Sequence, residues 1–132
     1  VLPMALVSFR AFTNINAGQP VTLGSSGTIF PSSAANLNNS KCIGVALDSG
    51  VATDLIRVDK DRIQYIFSGQ TAGNIPYLSI TSGTIQPSYA AFQTEVNASA
   101  LTSAYLVPLG RAVSSSGISI EIGRPVFVNI PV

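Results

Sequence analysis

At 132 residues the chain fits one domain of about 100 to 200 residues, long enough to bury roughly two-thirds of its unfolded surface without a disulfide or structural metal. Charged residues make up 10% of the chain and the net charge is +1, against about 25% charged in ordinary soluble domains, which excludes the electrostatic footprint of a nucleic-acid binder. Histidine and tryptophan are absent and Cys42 is the single cysteine, so the commonest general base, the commonest metal ligand, the best sugar-stacking ring and any intrachain disulfide are excluded together.

Apolar residues come in short runs rich in Val, Ile, Tyr and Phe rather than at helical spacing, the pattern of strands. In chain order, strands are predicted over 5–12, 20–23, 28–30, 42–47, 55–58, 63–67, 75–80, 84–86, 105–113, 118–122 and 126–130. Turn clusters separate them, among them Gly24-Ser25-Ser26-Gly27, Asp48-Ser49-Gly50, Thr81-Ser82-Gly83 and Ser114-Ser115-Ser116-Gly117, and the small polar segment 32–40 reads as a surface loop. One short helix is predicted over 88–97, opened by Pro87 and Ser88 and stopped at Asn97. No apolar run approaches about 18 residues, so no membrane span is expected. The spacing suits an all-β fold, a small β-barrel or β-sandwich, occupying 1–132 as a single domain with an apolar N-terminal arm over about 1–12.

An internal repeat is the most informative pattern. Ala17-Gly18-Gln19-Pro20-Val21-Thr22-Leu23 and Gly27-Thr28-Ile29-Phe30-Pro31-Ser32 return as Ala72-Gly73-Asn74-Ile75-Pro76-Tyr77-Leu78 and Gly83-Thr84-Ile85-Gln86-Pro87-Ser88. Gly44-Val45-Ala46-Leu47 and the run 55–58 then return as Gly110-Arg111-Ala112-Val113 and 118–122. Each copy reads as a hairpin followed by two more strands, with Gly27, Gly44, Gly73, Gly83 and Gly110 as structural turn glycines. Two such units, each with one apolar face and open edges, stabilise each other by packing or closing together. The second copy is longer by an insertion over 89–101, expected at a loop end.

The chemistry is sparse. A serine nucleophile needs a positioned base, and Lys41 and Lys60 stand in no Ser-x-x-Lys arrangement. Asp48, Asp54, Asp59 and Asp61 lack the alternating oxygen ligands of a calcium loop and read as solvated turn residues. The charged run 59–62 reads as a polar hairpin tip that keeps an edge soluble, the alternative being a patch that sets register against a charged partner. Cys42 precedes an apolar run and reads as a buried structural thiol. No catalytic, cofactor-binding or metal-binding residue is assigned. The termini are strongly apolar and must be covered, either by pairing on their own domain or against another chain. Val1, Leu2, Met4, Leu6, Phe9 and Arg10 at one end and Val126, Phe127, Ile130 and Val132 at the other are the candidate interface residues.

The order Ala17-Gly18-Gln19-Pro20-Val21, Ile43-Gly44-Val45-Ala46-Leu47, Gly69-Gln70-Thr71-Ala72-Gly73-Asn74-Ile75-Pro76-Tyr77-Leu78 and Gly110-Arg111-Ala112-Val113 resembles the small β-domains of tailed-phage capsid decoration (cement) proteins and phage head fibres. That family has a Gly-x-Pro-Val strand, a Gly-Val-Ala strand, a Gly-x-x-x-Gly-x-x-x-Tyr opening of the second half and a late Gly-x-Ala strand. The resemblance covers most of residues 12–122 and lies in glycines and strand patterns, not in chemistry. It implies a non-enzymatic homotrimer on the outer surface of the virion capsid, docked at three-fold or quasi-three-fold junctions. There it would bridge neighbouring copies of the major capsid protein and stabilise the expanded head, with no cofactor and no direct contact to nucleic acid or membrane. The alternatives are a head-fibre or tail-fibre base module and a surface glycan-binding module.

Overall fold

The structure, a computed structural model, describes residues 7–129. The first unit is set by two glycine turns. Gln19 N–H donates to Asn16 O at 3.2 Å across Gly18, whose φ of +92° suits the third position of such a turn. Gly27, at φ +82°, closes the hairpin of β2 (Pro20–Leu23) and β3 (Thr28–Pro31). With β1 (Val7–Ala11), β4 (Cys42–Ala46) and β5 (Leu55–Asp59) these strands form a closed barrel in the order β1-β3-β2-β4-β5. β1 closes it, running parallel to β3 (Arg10↔Thr28, Ala11↔Ile29) and antiparallel to β5 (Phe9↔Ile56, Arg10↔Leu55). Ala11, Ile15, Val21, Ile29, Ala46, Ile56 and Val58 fill the interior.

The second unit repeats this plan without closing it. β6 (Ile63–Gln64) pairs with β11 (Ile118–Ile120) as Ile63↔Ser119 and Gln64↔Ile118, the register that β1 keeps with β5 as Ser8↔Arg57 and Phe9↔Ile56. Gly73 N–H donates to Ala112 O and Ala112 N–H to Asn74 O, as Gly18 N–H does to Ala46 O and Ala46 N–H to Gln19 O. β7 (Tyr77–Leu78) and β8 (Ile85–Gln86) form the second hairpin, with Gly83 at φ +75°. β7 meets β10 (Gly110–Ala112) only through the Tyr77↔Pro108 bridge and the bonds Leu78 N–H to Val107 O and Leu109 N–H to Pro76 O. Pro76 has no N–H to return the Leu109 bond, so the ladder is weakened there.

The expected strand over 105–113 is accordingly two strands. β9 (Ser103–Leu106) turns away to pair with β12 (Val126–Asn129), and β10 begins beyond Pro108. The expected strand over 63–67 shortens to β6. The helix expected over 88–97 is present within the insertion: α2 (Tyr89–Asn97) starts at Ser88, whose hydroxyl accepts from Ala91 N–H at 3.1 Å. Its Phe92 and Val96, one turn apart, are buried with Leu78, Val107 and Leu109, covering the side that the open sheet leaves bare.

The segment 32–40 also departs from a surface loop. Ser32, Ser33, Ala34 and Ser40 are buried, and the short helix α1 (Leu37–Ser40) is capped by Asn36. Thr22 Oγ1 donates to Asn39 O at 2.9 Å and lies 2.6 Å from Ser32 Oγ. Ser33 Oγ donates to Ile80 O at 2.7 Å, and Ala34 N–H to Ser79 O. This strap ties the barrel to the second unit, and a shared core of Val45, Ile118 and Ile120 completes the seam.

Two of the turn glycines serve closeness instead. Gly44 lies inside β4, where a Cβ would sit 2.5 Å from Asp59 O and 2.6 Å from Val58 Cγ1. Gly110 opens β10, and a Cβ there would collide with the Ser119 carbonyl. Gly73, at φ +91°, is a turn glycine as expected.

Candidate functional site

The polar groups are organised for structure. Asp48 and Arg57 face each other across the β4–β5 hairpin, with Arg57 Nη2 2.7 Å from Asp48 Oδ1, Arg57 Nε 3.0 Å from Oδ2 and Arg57 N–H donating to Oδ2 at 2.9 Å. These hydrogen bonds hold the Asp48 carboxyl below the usual carboxylate range. Asp59 is fully buried, not solvated. Its carboxylate accepts from the Asp61 and Arg62 N–H groups at 3.2 Å and from Gln64 Nε2 at 2.6 Å, so it shapes the charged turn from within.

Cys42 is half-buried, its Sγ–H donates to Gly44 O at 3.3 Å, and desolvation pushes the thiol up to about 11. At neutral pH it holds its proton and is a poor nucleophile. Among the described residues no group of three or more His, Cys, Asp or Glu side chains converges as for a metal ion, and no helix is long and apolar enough to cross a membrane.

The candidate interface residues separate. Val126 and Phe127, 56% and 55% exposed, stand on β12. Phe127 lies opposite Tyr105 in the ladder, the rings edge to face with centroids 5.7 Å apart. β12 has β9 on one side and, among the described residues, no strand on the other. Phe9 and Arg10 lie in the barrel, on a different sheet. Phe9 is half-buried and packs against the barrel core, and Arg10 Nη1 donates to Thr53 O at 3.0 Å. Val1, Leu2, Met4, Leu6, Ile130 and Val132 lie outside the described residues.

A second surface was not legible in the sequence. At the β2–β3 end of the barrel a cleft of about 500 Å³ is lined by Phe12, Leu23, Phe30, Asn38 and Lys41, and Phe12 is 67% exposed. Its residues come from separate segments, and Phe12, expected as the last residue of a strand over 5–12, lies just past β1. Neither a protein-family model nor a curated protein matches this sequence.

Proposed function

We propose that the chain is a viral structural protein, a capsid decoration (cement) protein. It binds the outside of a phage head at three-fold or quasi-three-fold junctions as a homotrimer and clamps neighbouring copies of the major capsid protein in the expanded shell. The observation that carries this reading is β12, a strand edge unpaired among the described residues and flanked by exposed Val126 and Phe127. Such an edge is a template for an added strand, and exposed apolar side chains beside it favour cover by another protein. Each contact need be only modest, because many copies on one shell act together. The reading needs no catalytic residue, cofactor, nucleic acid or membrane. It is tested by co-sedimentation with expanded, undecorated heads and with unexpanded shells: saturable binding to expanded heads alone supports it, and binding to neither removes it.

The Phe12 cleft favours a second reading, a surface glycan-binding module, since an exposed ring beside Asn38 and Lys41 combines an apolar face with polar groups. A glycan array decides it: hits that vanish in Phe12→Ala support a sugar site, and an array without hits removes it.

A further inference from the structure

We propose that a groove on the seam between the two units is a docking site for an acidic segment of a protein partner. The groove, about 540 Å³, gathers Lys41 from just before β4, Lys60 from the turn after β5 and Arg124 from the segment before β12. Three of the seven cations of the chain thus meet in one place, and with Glu121 also present the groove carries +2 in a chain whose total is +1. Among the described residues none of the three is paired with a carboxylate, whereas Arg57 elsewhere is.

The cations stand on held backbone. Lys60 sits in the turn organised by the buried Asp59 carboxylate. Arg124 lies between Gly123, whose N–H donates to Pro108 O at 2.8 Å, and Pro125, which restricts the residue before it to extended conformations. Preorganised positive charge without internal partners is complementary to a negative ligand. The floor selects which one. Ile43, Ile122 and Pro125 line it, which suits an alkyl side chain set between carboxylates. No aromatic ring lines it for a base to stack on, and Glu121 repels a continuous phosphate chain. The inference is independent of the decoration reading and holds whatever protein carries the acidic segment.

The test is a titration of the ¹⁵N-labelled full chain with a capped Glu-Leu-Glu-Glu-Leu-Glu peptide, at about 20 mM and about 300 mM salt, with an oligothymidylate of equal charge as comparison. The expected amide shifts cluster at 41–43, 60 and 121–124 and shrink at the higher salt. In Lys60→Gln/Arg124→Gln the apparent Kd weakens at least about fivefold, while the rest of the spectrum stays in place. If that double variant does not fold, Lys41→Gln is read instead and shows a smaller loss in the same direction. Absent or scattered shifts, an affinity unchanged in the variants, or an equal response to oligothymidylate overturns the proposal.

Discussion

The two halves of this chain start from nearly the same pattern and finish differently. In the first, β1 is five residues long and reaches both β3 and β5, so the sheet closes and leaves no edge. In the second, its counterpart β6 has two residues and, among the described residues, pairs on one side only, while β7 reaches the segment before β10 through a single bridge, Tyr77↔Pro108. The unclosed unit is completed by other means: α2 covers its apolar side and β9 is released to form a hairpin with β12. The repeated pattern thus gives one half closed into a barrel and one half that, among the described residues, leaves a strand edge free, and that edge is where the proposed contact lies.

The comparison is tested most severely through the two cores. Phe92→Ala, which removes the ring that seals the open unit, is expected to cost about 3–5 kcal/mol, and Ile56→Ala inside the barrel about 2–5 kcal/mol. Both are read from urea unfolding. Because the strap and the Val45, Ile118 and Ile120 core join the halves, each variant should shift a single transition. Two resolved transitions would show that the halves unfold separately.

A smaller effect sharpens the seam. Asp59→Ala strips an acceptor from the Asp61 and Arg62 amides and from Gln64, an expected loss of about 1–3 kcal/mol in the same assay. Smaller again is Thr53→Gly. Thr53 sits at φ +78° in the β4–β5 connection, a costly conformation for a β-branched residue, whereas the second unit turns through Ser114–Gly117 instead. Relief of that strain, offset by the greater freedom of glycine in the unfolded chain, predicts a net gain below about 1 kcal/mol. A loss of stability would show that the Thr53 side chain contributes more than its backbone costs.

The smallest effect is pH-dependent. The Asp48 carboxyl titrates lower when folded than when unfolded, so its pairing with Arg57 stabilises above the ordinary carboxylate range and is lost as pH falls through the lowered folded value. Asp48→Asn should lower the melting temperature slightly at neutral pH, where the pair is formed but Arg57 is largely exposed, and leave it unchanged at the acid end, so that the acid limb flattens. An unaltered acid limb would assign that limb to other carboxylates.

Much of this comparison was readable in advance. Repeated glycines and strand runs gave the all-β class, the duplicated unit and, through Ser88, the start of α2. What escaped is the burial of polar residues, which residue type alone does not reveal. Ser32, Ser33 and Ser40 look like loop residues, and they are buried with their hydroxyls satisfied, Ser33 on Ile80 O of the other unit, Ser32 beside Thr22 Oγ1 and Ser40 on Leu37 O. Asp59 resembles its exposed neighbours until Gln64 and two turn amides surround it. Pro108 in the middle of an apolar run was the one local sign that β9 and β10 would part. Of the candidate interface, Val126 and Phe127 keep their place on the surface, while Phe9 packs against the barrel core, on the inward side of the alternation Val7-Ser8-Phe9-Arg10-Ala11.

The central claim is that the edge created by the unclosed half is the contact surface, and it is tested most directly by occupancy of expanded, undecorated heads. Val126→Glu/Phe127→Glu changes two exposed side chains and should leave the melting transition nearly in place. The account predicts that the wild-type chain saturates the heads while this variant, still folded, stays in the supernatant. Equal occupancy by the two would contradict it.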